Sequence, residues 1–299
     1  AAICKKLADA AVEASQLLDE AKSMNHRGIA SYAAEVTEQE TTTRQVLLVW
    51  RDTTHTINRE HYLKLKSLYD AACPSEPDLF RVRLFCLLQR YESMGNPGLH
   101  VSIPDTVFAA LKEEFDVSHE CFASPLNQTL PAFNSPFKDT DRFFGSRGDF
   151  FDLASVNWKA GGSFEAYPPF TEECMQLMFE QINVVLEDND ASSTPTSFVV
   201  IVPCWTDERA HEIMRESKFL RKMMFLEKSQ HVYCSGSQHQ TLQQHKHHEA
   251  GYRTSVFFMQ NDAGASRWPV TGLAVDKVLS SFRGKPQPPP HHGGGGGGG

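Results

Sequence analysis

Seven residues near the middle of the chain, Ser197-Phe198-Val199-Val200-Ile201-Val202-Pro203, carry no charge and include four consecutive β-branched side chains. So short and apolar a run reads as a strand buried on both faces, which only a sheet covered on both sides can supply. Its neighbours agree. Thr171 to Leu186 predicts a long helix and Asp207 to Phe219 another. Further strands are expected at Ser118–Ala123, Ser163–Tyr167, Met223–Leu226, Val232–Cys234 and Thr254–Gln260. A helix over Asp105–Phe115 is introduced by Ile103-Pro104. Strands alternating with helices define an α/β fold, and ligands in such sheets bind at the carboxyl ends of the strands.

The first hundred residues read as mainly helical. Leu7, Ala11, Ala14, Leu17, Leu18 and Ala21 recur at helical spacing between Lys5 and Lys22. A second helix is expected from His61 to Ala72, stopped by Cys73-Pro74, and a third from Leu79 to Met94, ended by Gly95-Asn96-Pro97-Gly98. Between the first two, Arg44 to Trp50 holds a short apolar run of strand character. At the other end, Pro286–Pro290, His291-His292 and seven glycines have no composition from which to build a core, and disorder is expected there.

Composition removes several classes of function. No stretch approaches 18 consecutive apolar residues, so no membrane span is expected. No charged-then-apolar leader opens the chain, and its start at Ala1 reads as a fragment. The seven cysteines include no Cys-x-x-Cys pair, which argues against a zinc ribbon or disulfide framework and for an intracellular protein. His245, His247 and His248 lack helical pairing with an acid, so no metal site is expected. A net charge of −8 does not suit bulk nucleic-acid binding but leaves room for a local basic groove around a short RNA, with Arg142, Arg147, Lys218, Arg221 and Lys222 as candidates. Neither a Gly-x-Ser-x-Gly elbow nor a phosphate-binding loop occurs.

The segment richest in chemistry is Ser163-Phe-Glu-Ala-Tyr167-Pro168-Pro169-Phe170, where an expected strand gives way to two prolines, an aromatic and a helix capped by Thr171. On one reading the prolines simply turn the chain out of the strand. On the other, they match the [Asp/Asn/Ser]-Pro-Pro-aromatic motif of amino-methyltransferases acting on adenine or cytosine. An exocyclic amine is a poor nucleophile because its lone pair is delocalised into the ring. A side-chain oxygen and the first proline carbonyl accept its two N–H bonds and favour a tetrahedral nitrogen, while the aromatic stacks on the base. Here Tyr167 stands where an amide or carboxylate would, and its oxygen lies farther out on a bulky ring.

Around Cys86-Leu-Leu-Gln-Arg-Tyr91 and Phe115-Asp-Val-Ser-His-Glu-Cys-Phe-Ala-Ser-Pro-Leu-Asn127 the chain closely resembles the phosphorylated CTD-interacting factor 1 family, the cap-specific adenosine N6-methyltransferases. The likeness continues through Asp139-Thr-Asp141, Phe144-Gly-Ser-Arg-Gly148, Gly162–Ala166, Pro168–Phe170, Ser197-Phe198, Ile201–Pro203, Trp205, Ser235–His239 and Gln260–Asp262, in order, over about Ile57 to Trp268. It implies a mainly helical domain at 1–100, a class I (Rossmann-like) S-adenosylmethionine-dependent methyltransferase core at 101–270, and a C-terminal segment at 271–299. It also implies nuclear location and, as substrate, the 5′ end of capped mRNA, methylated at N6 of the 2′-O-methyladenosine beside the 7-methylguanosine. Carried over, Glu120, Phe122, Ala123, Ser124, Pro125 and Asn127 form a strand-end loop beside S-adenosylmethionine. Asp141 and Asp152 are acceptors for its ribose hydroxyls or adenine amine. Tyr167, Pro168, Pro169 and Phe170 occupy the catalytic tetrapeptide. Arg147, Trp205 and the turn Ser235-Gly236-Ser237-Gln238-His239 are expected to meet substrate, an arginine through phosphate and an aromatic through base stacking.

The family also carries a WW domain that binds the phosphorylated tail of RNA polymerase II. That domain needs two tryptophans in one short sheet, whereas Trp50, Trp158, Trp205 and Trp268 are far apart, so no polymerase binding is expected of this chain. Two functions remain open: an active methyltransferase, and a binding module that holds capped RNA without transferring a methyl group because Tyr167 replaces the family's Asn.

Overall fold

A computed structural model describes residues 32–95, 101–240 and 247–283. The expected helix at Lys5–Lys22, His245, residues 96–98 of the Gly-Asn-Pro-Gly stop and the proline- and glycine-rich tail lie outside the described residues. The chain divides into two compact units, the break falling after Met94.

Three strands open the described part of the first unit: β1 (Thr37–Glu40), β2 (Gln45–Trp50) and β3 (Thr53–Asn58). They form an antiparallel meander in which Val46 pairs with Ile57 and Leu48 with His55. Only β2 was legible as a strand. β1 is exposed along its whole length and β3 is threonine-rich, so neither has the apolar alternation that marks a strand. Helix α1 (Arg59–Ala72) starts where Asn58 Oδ1 accepts the His61 amide at 2.9 Å. A 3-10 turn at Pro77–Leu79 leads into α2 (Phe80–Ser93). Sheet and helix are tied by buried His55, whose Nδ1 lies 2.8 Å from Glu92 Oε2 and Nε2 3.0 Å from Gln89 Oε1. Where it is described, the unit adds a three-stranded sheet to the two helices expected there, which remain its larger part.

The second unit runs α3 (Asp105–Phe115), β4 (His119–Glu120), β5 (Ala132–Phe133), α4 (Lys138–Asp141), β6 (Gly162–Ala166), α5 (Glu172–Ala191), β7 (Thr196–Pro203), α6 (Arg209–Glu216), β8 (Leu220–Leu226), β9 (Val232–Cys234), β10 (His247–Glu249), β11 (Thr254–Gln260), α7 (Asp262–Arg267) and α8 (Gly272–Ser281). Six strands make one sheet in the order β5-β4-β6-β7-β11-β8, and β9 pairs with β10 in a small ribbon. The first four are mutually parallel, and β11 enters antiparallel to both β7 and β8.

β7 is buried at all eight positions, as its composition demands. Its side chains alternate between two cores. Val199 and Ile201 join Val107, Leu111 and Phe115 of α3, while Phe198, Val200 and Val202 join Met178, Ile182 and Leu186 of α5. Ala274, Val275 and Val278 of α8 belong to the first core, so the start of the segment set apart at 271–299 is built into the sheet domain. Thr171 Oγ1 caps α5 by accepting the Cys174 amide at 3.3 Å. Gly264 is required by close approach: a Cβ there would stand 2.3 Å from the Thr196 carbonyl.

Candidate functional site

Strand order reverses between β4 and β6, because the chain runs outward to β5 on one side and to β7 on the other. The crevice beyond the carboxyl ends at such a switch point is where open α/β sheets take ligands. Two of the expected loops start there side by side. Cys121, directly after β4, donates its amide to the Glu165 carbonyl of β6 at 2.8 Å. The loop bearing Phe122, Ala123, Ser124, Pro125 and Asn127 thus leaves the sheet beside Tyr167-Pro168-Pro169-Phe170.

The loop after β4 is internally locked. Asn127 Oδ1 accepts the Ser124 amide at 2.7 Å and the Ser124 hydroxyl at 3.0 Å. The Ala123 amide bonds the Asn134 carbonyl at 2.9 Å. Glu120 is buried, and its Oε1 accepts the amides of Thr129, at 2.6 Å, and Leu130. Phe122 packs edge-tilted on Phe150 at 4.7 Å between ring centres. Asp141 is wholly buried and accepts the Thr140 hydroxyl at 2.9 Å. Asp152 is an exposed turn acid that accepts the Ala154 amide at 3.0 Å, and the Arg147 side chain is exposed. These last two carry their expected roles on resemblance alone.

Asn134, just past β5, escaped the sequence reading. It is buried, its Oδ1 accepts His119 Nε2–H at 2.6 Å, and its amide nitrogen donates to the Gly148 carbonyl and the Ser155 hydroxyl. Burial holds His119 down at about 4, so the ring is neutral and donates as required.

Along β6 the polar groups behave differently. Ser163, Glu165 and Tyr167 share one face of the strand. The Ser163 hydroxyl, Glu165 Oε1 and the Tyr167 hydroxyl are all buried and meet no partner at hydrogen-bond geometry. Glu165, 1% exposed, stands in register with Glu120 across the parallel pair. Burial first, and then the Glu120 charge, push its carboxyl well above the usual carboxylate range, so it stays protonated. The signal was a lone acid between Phe164 and Ala166 in an otherwise buried strand.

Tyr167 is 9% exposed and turns into an aromatic cluster. Its ring meets Phe170 edge-on at 5.1 Å and Tyr233 of β9 at 5.6 Å. Phe170 in turn meets Tyr252 at 5.7 Å, nearly perpendicular, and Trp205 at 6.5 Å. Trp205 is 38% exposed, and a 360 Å³ hollow lined by Cys204, Thr206 and Asp207 opens beside it at the end of β7. The turn Ser235–His239 follows β9 directly. Its Gly236, Gln238 and His239 are buried, and Gln238 Nε2 donates to the Ser102 hydroxyl at 3.3 Å. The fold therefore gathers the tetrapeptide and Trp205 with Tyr233 and Tyr252, which the sequence did not single out, and β9 leads from Tyr233 into this turn.

Among the described residues, no three His, Cys, Asp or Glu side chains gather as a ligand set for a metal, and no helix is long and apolar enough to cross a membrane.

A mixed α/β domain with a mostly parallel sheet, and a polar and aromatic crevice at its switch point, is compatible with a Rossmann-like methyltransferase. The model of a family described as phosphorylated CTD interacting factor 1 WW domain matches residues 64–236, and the chain belongs to that family. It is 38% identical over 237 residues to a Homo sapiens protein named mRNA (2'-O-methyladenosine-N(6)-)-methyltransferase, covering 76% of this chain and 33% of that one. A Mus musculus protein of the same name is 36% identical over the same coverage. The chain thus spans about a third of the length of the curated relatives it matches. The description of the matching family names a WW domain, which sits at odds with the expectation drawn from tryptophan spacing. The matched span holds Trp158 and Trp205, and where described it is made of α/β elements from α1 to the turn after β9.

Proposed function

We propose that this chain is the catalytic part of a cap-specific mRNA adenine N6-methyltransferase, with a class I core after a supporting N-terminal unit and working in the nucleus. The observation that carries this reading is the placement of Tyr167-Pro168-Pro169-Phe170 at the carboxyl end of β6, beside the loop after β4 at the switch point. A mostly parallel sheet with its last strand inserted antiparallel beside β7 is compatible with a class I methyltransferase and supports the same conclusion. The partnerless Glu165 Oε1, buried in β6 just before the tetrapeptide, adds unspent polar capacity at this strand end. In this reading the Glu120–Asn127 loop with Asp141 and Asp152 holds S-adenosylmethionine, which supplies an electrophilic methyl group. The target adenine stacks on Phe170 and donates one N–H to the Pro168 carbonyl, and the proton released from N6 passes to solvent. Arg147, Trp205 and Ser235–His239 meet the capped 5′ end of the mRNA.

A second reading rests on Tyr167, whose hydroxyl is buried in the aromatic cluster. Losing a directed acceptor costs roughly two to three orders of magnitude in rate by analogy with an oxyanion-hole donor. On this reading the chain binds capped RNA without modifying it. Tritiated S-adenosylmethionine with capped RNA beginning in 2′-O-methyladenosine separates the two. Labelling by the natural chain is the expected result, and labelling by Tyr167→Asn alone selects the binding module. If neither labels RNA while both bind the cofactor, the substrate assignment fails.

A further inference from the structure

Behind the aromatic cluster lies a buried line of hydrogen bonds that the reaction as derived does not use. The Tyr233 hydroxyl is 2.6 Å from Thr254 Oγ1, which is 2.9 Å from His231 Nε2, and His231 Nδ1 is 2.9 Å from the Glu227 carbonyl oxygen. All three side chains are buried.

The direction of this line is fixed at one end. A carbonyl oxygen can only accept, so His231 carries its proton on Nδ1. Burial lowers the ring's proton affinity, which leaves it neutral and Nε2 a bare acceptor. Nε2 therefore takes the Thr254 hydroxyl proton, and Thr254 Oγ1 takes that of Tyr233. With its only proton committed inward, Tyr233 turns oxygen lone pairs toward its neighbours. Those neighbours are Tyr252, stacked on Tyr233 at 5.9 Å and 27°, and Tyr167. The Tyr252 hydroxyl couples to those of both Tyr167 and Tyr233, whose rings pack together. Of the three tyrosines only Tyr252 is part exposed, and like Tyr167 it stands against Phe170.

We propose that this line polarises the tyrosine cluster into a hydrogen-bond acceptor, and that the Tyr252 hydroxyl takes an N–H of the target adenine's amine in place of the carboxamide absent at position 167. The proposal rests on the adenine-methylating reading and adds the residue that completes it. Tyr252 is a catalytic residue in this scheme, while Tyr233, Thr254 and His231 are positioning residues. In this scheme the Tyr252 hydroxyl donates inward to Tyr233, which offers only lone pairs, and keeps an outward lone pair for the amine. Thr254→Val keeps the shape at 254 but frees the Tyr233 proton to turn outward, which makes the cluster a donor and repels an N–H.

The test pairs calorimetry with methyl transfer on the whole chain. The ligands are a capped dinucleotide ending in 2′-O-methyladenosine and its analogue with purine, which lacks the amine. The natural chain is expected to bind the adenosine form about tenfold more tightly, the size of one net hydrogen bond. Tyr252→Phe and Thr254→Val should each abolish that preference and lower kcat about tenfold, with affinity for S-adenosylmethionine unchanged, and Thr254→Ser should restore both. In a Tyr167→Asn background, where a carboxamide supplies the acceptor, Tyr252→Phe should cost less than twofold. Equal binding of the two dinucleotides by the natural chain, or equal losses in both backgrounds, overturns the acceptor and leaves the RNA reading standing. Failure of both dinucleotides to bind removes the RNA reading and the acceptor with it. A ¹⁵N spectrum showing the His231 proton on Nε2 overturns the direction of the line whatever the RNA does.

Discussion

Two loops leave neighbouring parallel strands at the same end of the sheet, and they treat their polar groups in opposite ways. After β4, nearly every buried polar atom is spoken for: Glu120 by two backbone amides, Asn127 by Ser124, and Asn134 by His119, Gly148 and Ser155. Along β6 and into the tetrapeptide, Ser163 and Glu165 each bury a polar atom without a partner, and the buried Tyr167 hydroxyl meets only that of Tyr252, short of good geometry. Burying a group unsatisfied costs roughly 1–3 kcal/mol, so a fold keeps several in a row only where something else is gained. The contrast teaches that the first loop is a shaped support whose polarity is spent on its own geometry. The second is where unsatisfied chemistry is held, as functional sites commonly do.

The contrast breaks most sharply if the support is cut. Asn134→Ala leaves the His119 N–H, the Gly148 carbonyl and the Ser155 hydroxyl without their shared partner, and should cost about 3 kcal/mol. For a unit of this size that lowers the midpoint of thermal unfolding on the order of 10 °C, readable by calorimetry. A smaller effect, confined to binding, is expected from the other loop. Phe170→Ala removes a stacking surface worth about 2 kcal/mol, and should weaken the capped dinucleotide roughly thirtyfold while affinity for S-adenosylmethionine holds. Equal loss of both affinities would mean that Phe170 only shapes the fold.

The smallest effect concerns Glu165 and sharpens the comparison by pH. Its proton is held more tightly in the folded chain than in the unfolded one, where the ordinary value is 4.5. The folded state therefore binds more protons across the interval above 4.5, and this contribution to stability is present at low pH and lost as pH rises. Glu165→Gln, neutral throughout, should remove that decline while changing stability at pH 5 by less than about 1 kcal/mol. Denaturant titrations between pH 5 and 9 would read the slope. An unchanged slope in the variant would place the proton elsewhere.

The buried strand β7, helix α3 to the residue, β9 and β11 were legible because each is dominated by a local signal: an unbroken apolar run, a proline-introduced helix, or a short stretch of β-branched and aromatic residues. β1, β3 and β5 were not. β5 spans two residues, and a two-residue strand has no periodicity to read. The tetrapeptide and the loop after β4 were found through their resemblance to a family, which preserves local text. Tyr233, Tyr252, Thr254 and His231 escaped because each, alone, is an ordinary strand or loop residue.

By itself, then, the sequence determined the α/β class, the strand that centres the sheet, and the Tyr-Pro-Pro-Phe turn with its missing carboxamide. All are consequences of residues adjacent in the chain, where periodicity and backbone stiffness act. Only the tertiary structure decided which side of β6 buries its polar atoms, that Glu165 faces Glu120, and that a line from Glu227 to Tyr233 ends among the tyrosines packed on Phe170. Those facts depend on strands brought together from distant parts of the chain. The direction of a hydrogen bond is set by what lies across the gap, and no local pattern records what that will be.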